Sequence, residues 1–171
     1  MQIQLRDVRR QSRQNLDFYE TMDLHHSHPN IEDEVSVHVT AHAYFNEDEL
    51  YVLDGQLDTT IRLKCSKCLT AYDWPLSVRW HEVFSLDEPP DEEDDTDIHF
   101  VNDDEVDLNP YIREALLLAI PFVPVCRDDC QGLCPSCGIN RNEASCDCNN
   151  ERIDPRLAEL QKFFSTEDKQ E

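Results

Sequence analysis

Six of the eight cysteines in this 171-residue chain fall within residues 126–148, and the other two, Cys65 and Cys68, form a C-x-x-C motif far upstream. The downstream group consists of Cys126, Cys130, a second C-x-x-C at Cys134 and Cys137, and the close pair Cys146 and Cys148. Thiolates two residues apart on a tight turn can face one metal ion, and zinc takes four such ligands in a tetrahedron, commonly as pairs with 2–4 residues between them. Pro135 stiffens the second turn, and Gly138 permits the left-handed backbone that such a loop often needs.

Eight thiols suit two four-thiolate sites. Cys134, Cys137, Cys146 and Cys148 are local and can close one site alone, which leaves Cys65, Cys68, Cys126 and Cys130 for the other. That second site clamps two distant parts of the chain. A structural zinc contributes about 10–16 kcal/mol of apparent binding free energy, comparable to the ~5–15 kcal/mol stability of a whole domain. Two zinc ions are therefore expected as part of the fold. All-thiolate shells are closed, and catalytic zinc keeps a position for water. An interleaved partition, or one site with spare thiols, also fits the spacing. A redox C-x-x-C usually opens a helix after a strand, but Cys65 and Cys68 lie between two strand-like segments. His25, His26 and His28 are a weaker metal candidate and read better as an exposed loop before Pro29.

The elements that must position these thiols follow from hydrophobic period. Val35, Val37, Val39, Ala41, Ala43 and Phe45 alternate with polar residues, the pattern of a half-buried strand. A turn at 46–49 leads to a second strand through Leu53, Leu57, Ile61 and Leu63, with Gly55 expected at a bulge or bend. A third carries Tyr72, Trp74, Leu76, Val78 and Trp80 on one face, and Pro75 there implies an edge or a bulge. The expected product is an antiparallel meander or partial barrel with Cys65 and Cys68 at a hairpin tip. Ile98, Phe100 and Val101 predict a further short strand. Asn109 as cap and Pro110 in the first turn open a helix whose apolar face is Ile112, Leu116 and Ile120, and Pro121 and Pro124 end it. A short final helix from Asp154 carries Leu157, Leu160 and Phe164. The fold class is α+β, with 1–125 a sheet-plus-helix domain, 126–164 a zinc-binding segment packed on it, and 165–171 a frayed tail.

The formal charge is −22, and residues 87–107 hold twelve acidic side chains and no lysine or arginine. Such a run reads as a mobile acidic loop. This balance disfavours a broad nucleic-acid surface and favours basic partners. Arg6, Arg9, Arg10 and Arg13 are the densest basic group, a solvated surface or a small contact site. The opening residues carry no apolar run of signal-peptide length, and no stretch reaches membrane-span length, so a cytoplasmic location is expected. In that compartment clustered cysteines mean metal or redox chemistry rather than disulfides.

Several ordered motifs resemble the YceD family of large ribosomal RNA subunit accumulation proteins. They are Leu63-Lys-Cys65-Ser-Lys-Cys68-Leu, the helix from Asp107-Leu-Asn-Pro to Ile-Pro121, and Gly132-Leu-Cys134-Pro-Ser-Cys137-Gly138. Cys146-Asp-Cys148 and Asp154-Pro155-Arg156-Leu157 complete a likeness that covers roughly residues 50–160. The resemblance implies a role in 23S rRNA accumulation, hence in large-subunit biogenesis, with no catalytic residue carried over. A basic ribosomal protein or a pre-ribosomal particle is the expected partner, with rRNA a second and no membrane involved. The competing readings are a zinc-ribbon nucleic-acid regulator, which lacks its basic surface, and a C-x-x-C thiol oxidoreductase.

Overall fold

The computed structural model describes residues 1–87 and 98–149. In chain order the elements are β1 (Gln2–Gln4), α1 (Leu5–Gln11), β2 (Arg13–Met22), β3 (Val35–Phe45), β4 (Tyr51–Lys64), β5 (Ala71–Ser85), β6 (Ile98–Phe100), β7 (Glu105–Asp107) and α2 (Asn109–Ala119). The acidic run at 91–95, the expected final helix and the tail lie outside the described residues.

Strands β2 to β6 form one sheet in sequence order, and β1 pairs with β7 in a separate two-stranded ribbon. The first four strands of the sheet are antiparallel neighbours, as the alternating pattern requires. Strand β6 departs from the expected meander, because it runs parallel to β5, pairing Val83 with Ile98 and Ser85 with Phe100. A parallel partner cannot follow through a tight hairpin, and residues 86–97 separate the two strands in the sequence.

Val35, Val37, Val39, Ala41 and Ala43 are all buried, and so are Leu53, Leu57, Ile61 and Leu63 across from them on β4. The inner sheet face joins Leu5 and Val8 of α1 with Ile112 and Leu116 of α2 in one apolar core. The expected bulge at Gly55 is absent. The register runs unbroken through Ala41, Gly55 and Trp80. The glycine is instead required by close approach, since a Cβ there would stand 2.4 Å from the Thr40 carbonyl oxygen and 2.6 Å from the Ala41 Cβ. Pro75 is tolerated because β5 pairs with β6 only from Val83 onward, so its outer side carries no ladder at that level.

The first 22 residues are more structured than their composition suggested. Strand β2 presents Gln14, Leu16, Phe18, Glu20 and Met22 inward in register with β3, and the polar members hide the period. Two of the four arginines there are engaged within the chain: Arg6 pairs with Asp104 at 2.9 Å, and the Arg9 guanidinium lies 4.9 Å from the centre of the Phe45 ring. Asn109 does not cap α2. Leu108 occupies the cap position, and the Asp107 carboxylate accepts the Asn109 N–H at 3.1 Å. The Asn109 side-chain oxygen accepts from the terminal amine of Met1 at 2.8 Å, so the residue ties the chain start to the helix. His25 and His26 are exposed as expected, with His25 bound through Nδ1 to the Ile31 carbonyl at 2.8 Å. Among the described residues no helix is long and apolar enough to cross a membrane.

Candidate metal centres

The hairpin between β4 and β5 carries Cys65 and Cys68 at its tip. The Leu69 N–H donates to the Cys65 carbonyl at 2.9 Å, the Cys65 N–H donates to the Thr70 carbonyl at 3.0 Å, and Leu69 takes a left-handed φ of 60°. The turn at Cys134 and Cys137 repeats this design. Gly138 N–H donates to the Cys134 carbonyl at 2.8 Å, Cys134 N–H donates to the Ile139 carbonyl at 2.8 Å, and Gly138 has φ 75°. Both C-x-x-C motifs are thus the same tight turn, closed by a left-handed residue just after the second cysteine. Glycine is the residue expected in that role, which made the downstream copy legible and left Leu69 unremarked.

After α2 the chain crosses the hairpin tip. The Ser66 N–H donates to the Pro124 carbonyl at 2.8 Å, and the Leu133 N–H donates to the Lys67 carbonyl at 3.0 Å. Gly132, at φ 71°, sits where a Cβ would meet that same Lys67 oxygen at 3.0 Å. These contacts bring Cys126 and Cys130 over the first turn. The Cys65 and Cys130 sulfurs lie 3.9 Å apart, and those of Cys68 and Cys126 lie 3.7 Å apart. The Sγ atoms of Cys65, Cys68, Cys126 and Cys130 all fall within 4.8 Å of one another, and so do those of Cys134, Cys137, Cys146 and Cys148. Among the described residues these are the two groups with metal-holding geometry, and the three histidines join neither.

The distances suit a thiolate-bound metal. Four sulfurs each ~2.3 Å from a common centre in a tetrahedron stand ~3.8 Å apart. The first cluster is enclosed: Cys65, Cys68 and Cys130 are buried, with Tyr72, Val125 and Leu133 packed around them. The second is nearer solvent, with Cys134 buried but Cys137 exposed.

Burial opposes ionisation of Cys65, but N–H groups of Cys126, Cys68 and Lys67 outweigh it and bring the thiol down to about 6. Cys134 is likewise brought down to about 6, chiefly by the backbone of Cys137 and Ser136. Their neighbours move the other way. Burial and then the surrounding sulfurs push Cys126 up to about 12, and hydrogen bonds with Cys137 and Cys146 push Cys148 up to about 12. One thiolate in a tight group makes the next harder to form. A divalent cation at the centre removes that conflict by favouring all four thiolates at once.

Asn142 braces the first cluster. Its Nδ2 donates to the Cys130 sulfur at 3.4 Å, while its Oδ1 accepts from the Gln131 N–H at 2.8 Å and from Arg127 at 2.9 Å. Sequence reading passed over it, because a single asparagine in a loop has no spacing that marks it. Its place between Cys137 and Cys146 was the available signal.

Comparison with known protein families matches residues 53–164 to the description "Large ribosomal RNA subunit accumulation protein YceD". The chain is 32% identical over 116 residues to the uncharacterized protein YlbN of Bacillus subtilis, covering 67% of each chain. It is 34% identical over 106 residues to an uncharacterized protein of Mycobacterium bovis, covering 61% of this chain and 51% of that one. An Arabidopsis thaliana protein, "Large ribosomal RNA subunit accumulation protein YCED homolog 1, chloroplastic", is 28% identical over 131 residues, covering 60% of this chain and 40% of the plant protein. The alignment thus spans about half the length of the mycobacterial relative and less of the plant one. No solved structure matches.

Proposed function

This chain belongs to the YceD family of large ribosomal RNA subunit accumulation proteins, and we propose that it supports 23S rRNA accumulation during large-subunit biogenesis as a non-enzymatic cytoplasmic factor. The observation that carries this reading is the family match over residues 53–164, joined by the plant relative whose name states rRNA accumulation. In this reading all eight thiols hold two structural zinc ions, Cys65, Cys68, Cys126 and Cys130 one of them and Cys134, Cys137, Cys146 and Cys148 the other. Soft thiolates in a tetrahedral set select zinc over hard cations, and a shell of four protein ligands leaves no position for a substrate.

The partner is a basic ribosomal protein or a pre-ribosomal particle that carries one. A formal charge of −22 and the acidic run at 87–107 attract such a surface and repel bare phosphate backbone. Attraction of this kind raises association rate and fades with salt, as the Debye length falls from ~10 Å at 0.1 M to ~3 Å at 1 M.

Gradient fractionation of lysate at low and high salt tests the reading. The full chain should migrate with large-subunit precursors at low salt and leave them at high salt. Replacing the acidic residues at 91–95 with serine and asparagine should slow association without changing the thermal melt. A chain that stays at the top of the gradient under every salt condition contradicts the reading.

A further inference from the structure

The two cysteine groups share one ligand chemistry but differ in what surrounds them. In the first, Cys65, Cys68 and Cys130 are buried, and Cys126 is half-buried beside Val125. In the second, Cys134 is buried, Cys146 and Cys148 are half-buried, and Cys137 is open to solvent. Of the eight cysteines, Cys137 alone is exposed. A metal-bound cysteine is a thiolate, and thiolate character together with exposure decides which cysteine an oxidant reaches. Three further sulfurs lie within 4.8 Å of the Cys137 sulfur, so an oxidised Cys137 has partners at hand without any movement of the sheet.

The second cluster also pins a loop. Residues 138–145 are bounded by its ligands Cys137 and Cys146, and three members of that loop hold it to the rest of the protein. The Asn140 Nδ2 reaches the Thr70 hydroxyl at 3.5 Å, the Arg141 N–H donates to the Gly132 carbonyl at 2.9 Å, and the Asn142 Nδ2 donates to the Cys130 sulfur at 3.4 Å. The first cluster shares no ligand with the second, and backbone bonds from Ser66 to Pro124 and from Leu133 to Lys67 close it onto the hairpin tip. Losing the second cluster therefore frees both ends of the 138–145 loop and leaves the first clamp in place.

We propose that the second cluster is a redox latch: hydrogen peroxide oxidises Cys137, a disulfide forms inside that cluster, and residues 134–149 come loose while the first cluster and the sheet stay intact. The inference rests on the reading of two zinc centres above. The Cys137 thiolate attacks the peroxide; an S–O bond forms, the O–O bond breaks and hydroxide leaves. A neighbouring thiolate of the same cluster then attacks that sulfur; the S–S bond forms, the S–O bond breaks and a second hydroxide leaves. Two protons from solvent convert the hydroxides to water, so two thiolates give up one electron each and the peroxide takes up two. The two cysteines left over no longer make a four-ligand shell, and that site loses its zinc. A dithiol reductant restores the thiols by exchange with the disulfide.

The test treats the full chain, its metal content measured first, with limiting hydrogen peroxide in the presence of a chromophoric chelator. One zinc should leave about tenfold faster than the other, in line with the exposure of Cys137. Peptide mass spectrometry should place the first disulfide between Cys137 and Cys134, Cys146 or Cys148. Trypsin should cut after Arg141 faster in the oxidised chain, while the far-UV spectrum stays that of the reduced protein. Dithiothreitol with added zinc should reverse both the metal loss and the cleavage. Cys137→Ser should keep the zinc of the first cluster and show the slow release alone; the wild-type measurements decide the matter if that variant does not fold. A first disulfide that leaves out Cys137, two zinc ions that leave together, or cleavage after Arg141 that ignores oxidation overturns the proposal. Fewer than two zinc ions at the outset contradicts the two-zinc reading instead, and the order of disulfides and the Arg141 cleavage then score the latch by themselves.

Discussion

The sulfurs of Cys65 and Cys130 stand 3.9 Å apart although 65 residues separate them in the chain. No local turn could bring them together, and β5, β6, β7 and α2 lie inside the loop that this contact closes. The neighbouring cluster is different, since its four cysteines come from a stretch of fifteen residues between 134 and 148.

Unequal effects of two serine substitutions follow from that contrast. Cys65→Ser is expected to lower stability by about 2–5 kcal/mol, the scale for losing a cross-link that closes a long loop. Cys148→Ser should cost less, because it loosens a local segment. Urea unfolding of both variants gives the comparison, and an equal or larger loss for Cys148→Ser contradicts the partition.

Zinc uptake should release protons. At pH 7.5 Cys65 and Cys134, at about 6, are already thiolates, while Cys126 and Cys148, at about 12, hold their protons. Metal must displace at least one proton per site, so affinity should fall about tenfold per site for each pH unit lowered between 8.5 and 7.5. For the metal-free fold the signs oppose. The depressed pair adds stability above its unfolded value that fades as pH falls toward 6, and the raised pair favours folding at lower pH. Calorimetry in buffers of different ionisation enthalpy counts the protons, and a pH-independent affinity contradicts the account.

Asn142→Ala should weaken the first site by about 10–100-fold, since it removes the N–H donor to the Cys130 sulfur and frees the Gln131 backbone. Competition with a chromophoric chelator measures it. Unchanged affinity would show that this contact tunes nothing.

Gly55→Ala should destabilise the sheet by about 1–3 kcal/mol, because the added carbon meets the Thr40 carbonyl and Ala41 across the strand pair. A variant as stable as wild type in urea would show that the strands part at no cost.

The sheet and the thiol groups were largely legible in the sequence, for separate physical reasons. Alternating valines in β3 bury one face, and period two admits no other reading for a strand of that length. Cysteine spacing within a tight turn favoured grouping Cys134 and Cys137 with Cys146 and Cys148, but an interleaved partition fitted the spacing as well, and it is the sulfur positions in the fold that separate the two groups. Strand β2 was hidden because Gln14 and Glu20 stand at inward positions beside Leu16 and Met22, and their register comes from β3 rather than from their own pattern. The parallel β6 was hidden because three residues carry no sign of direction. Gly55 was misread because a glycine inside a strand pattern marks either a bulge or a close approach, and only the neighbouring backbone decides. The Tyr19 and His38 stack depends on cross-strand register, which no local pattern encodes.

The most direct test of the two-centre account is the metal content of protein purified without chelator, read by elemental analysis alongside native mass spectrometry. The account expects two zinc ions per chain, with Cys65→Ser and Cys148→Ser each retaining only the ion of the other cluster. One zinc or none in the wild type, or a single substitution that removes both ions while the chain stays folded, would contradict it.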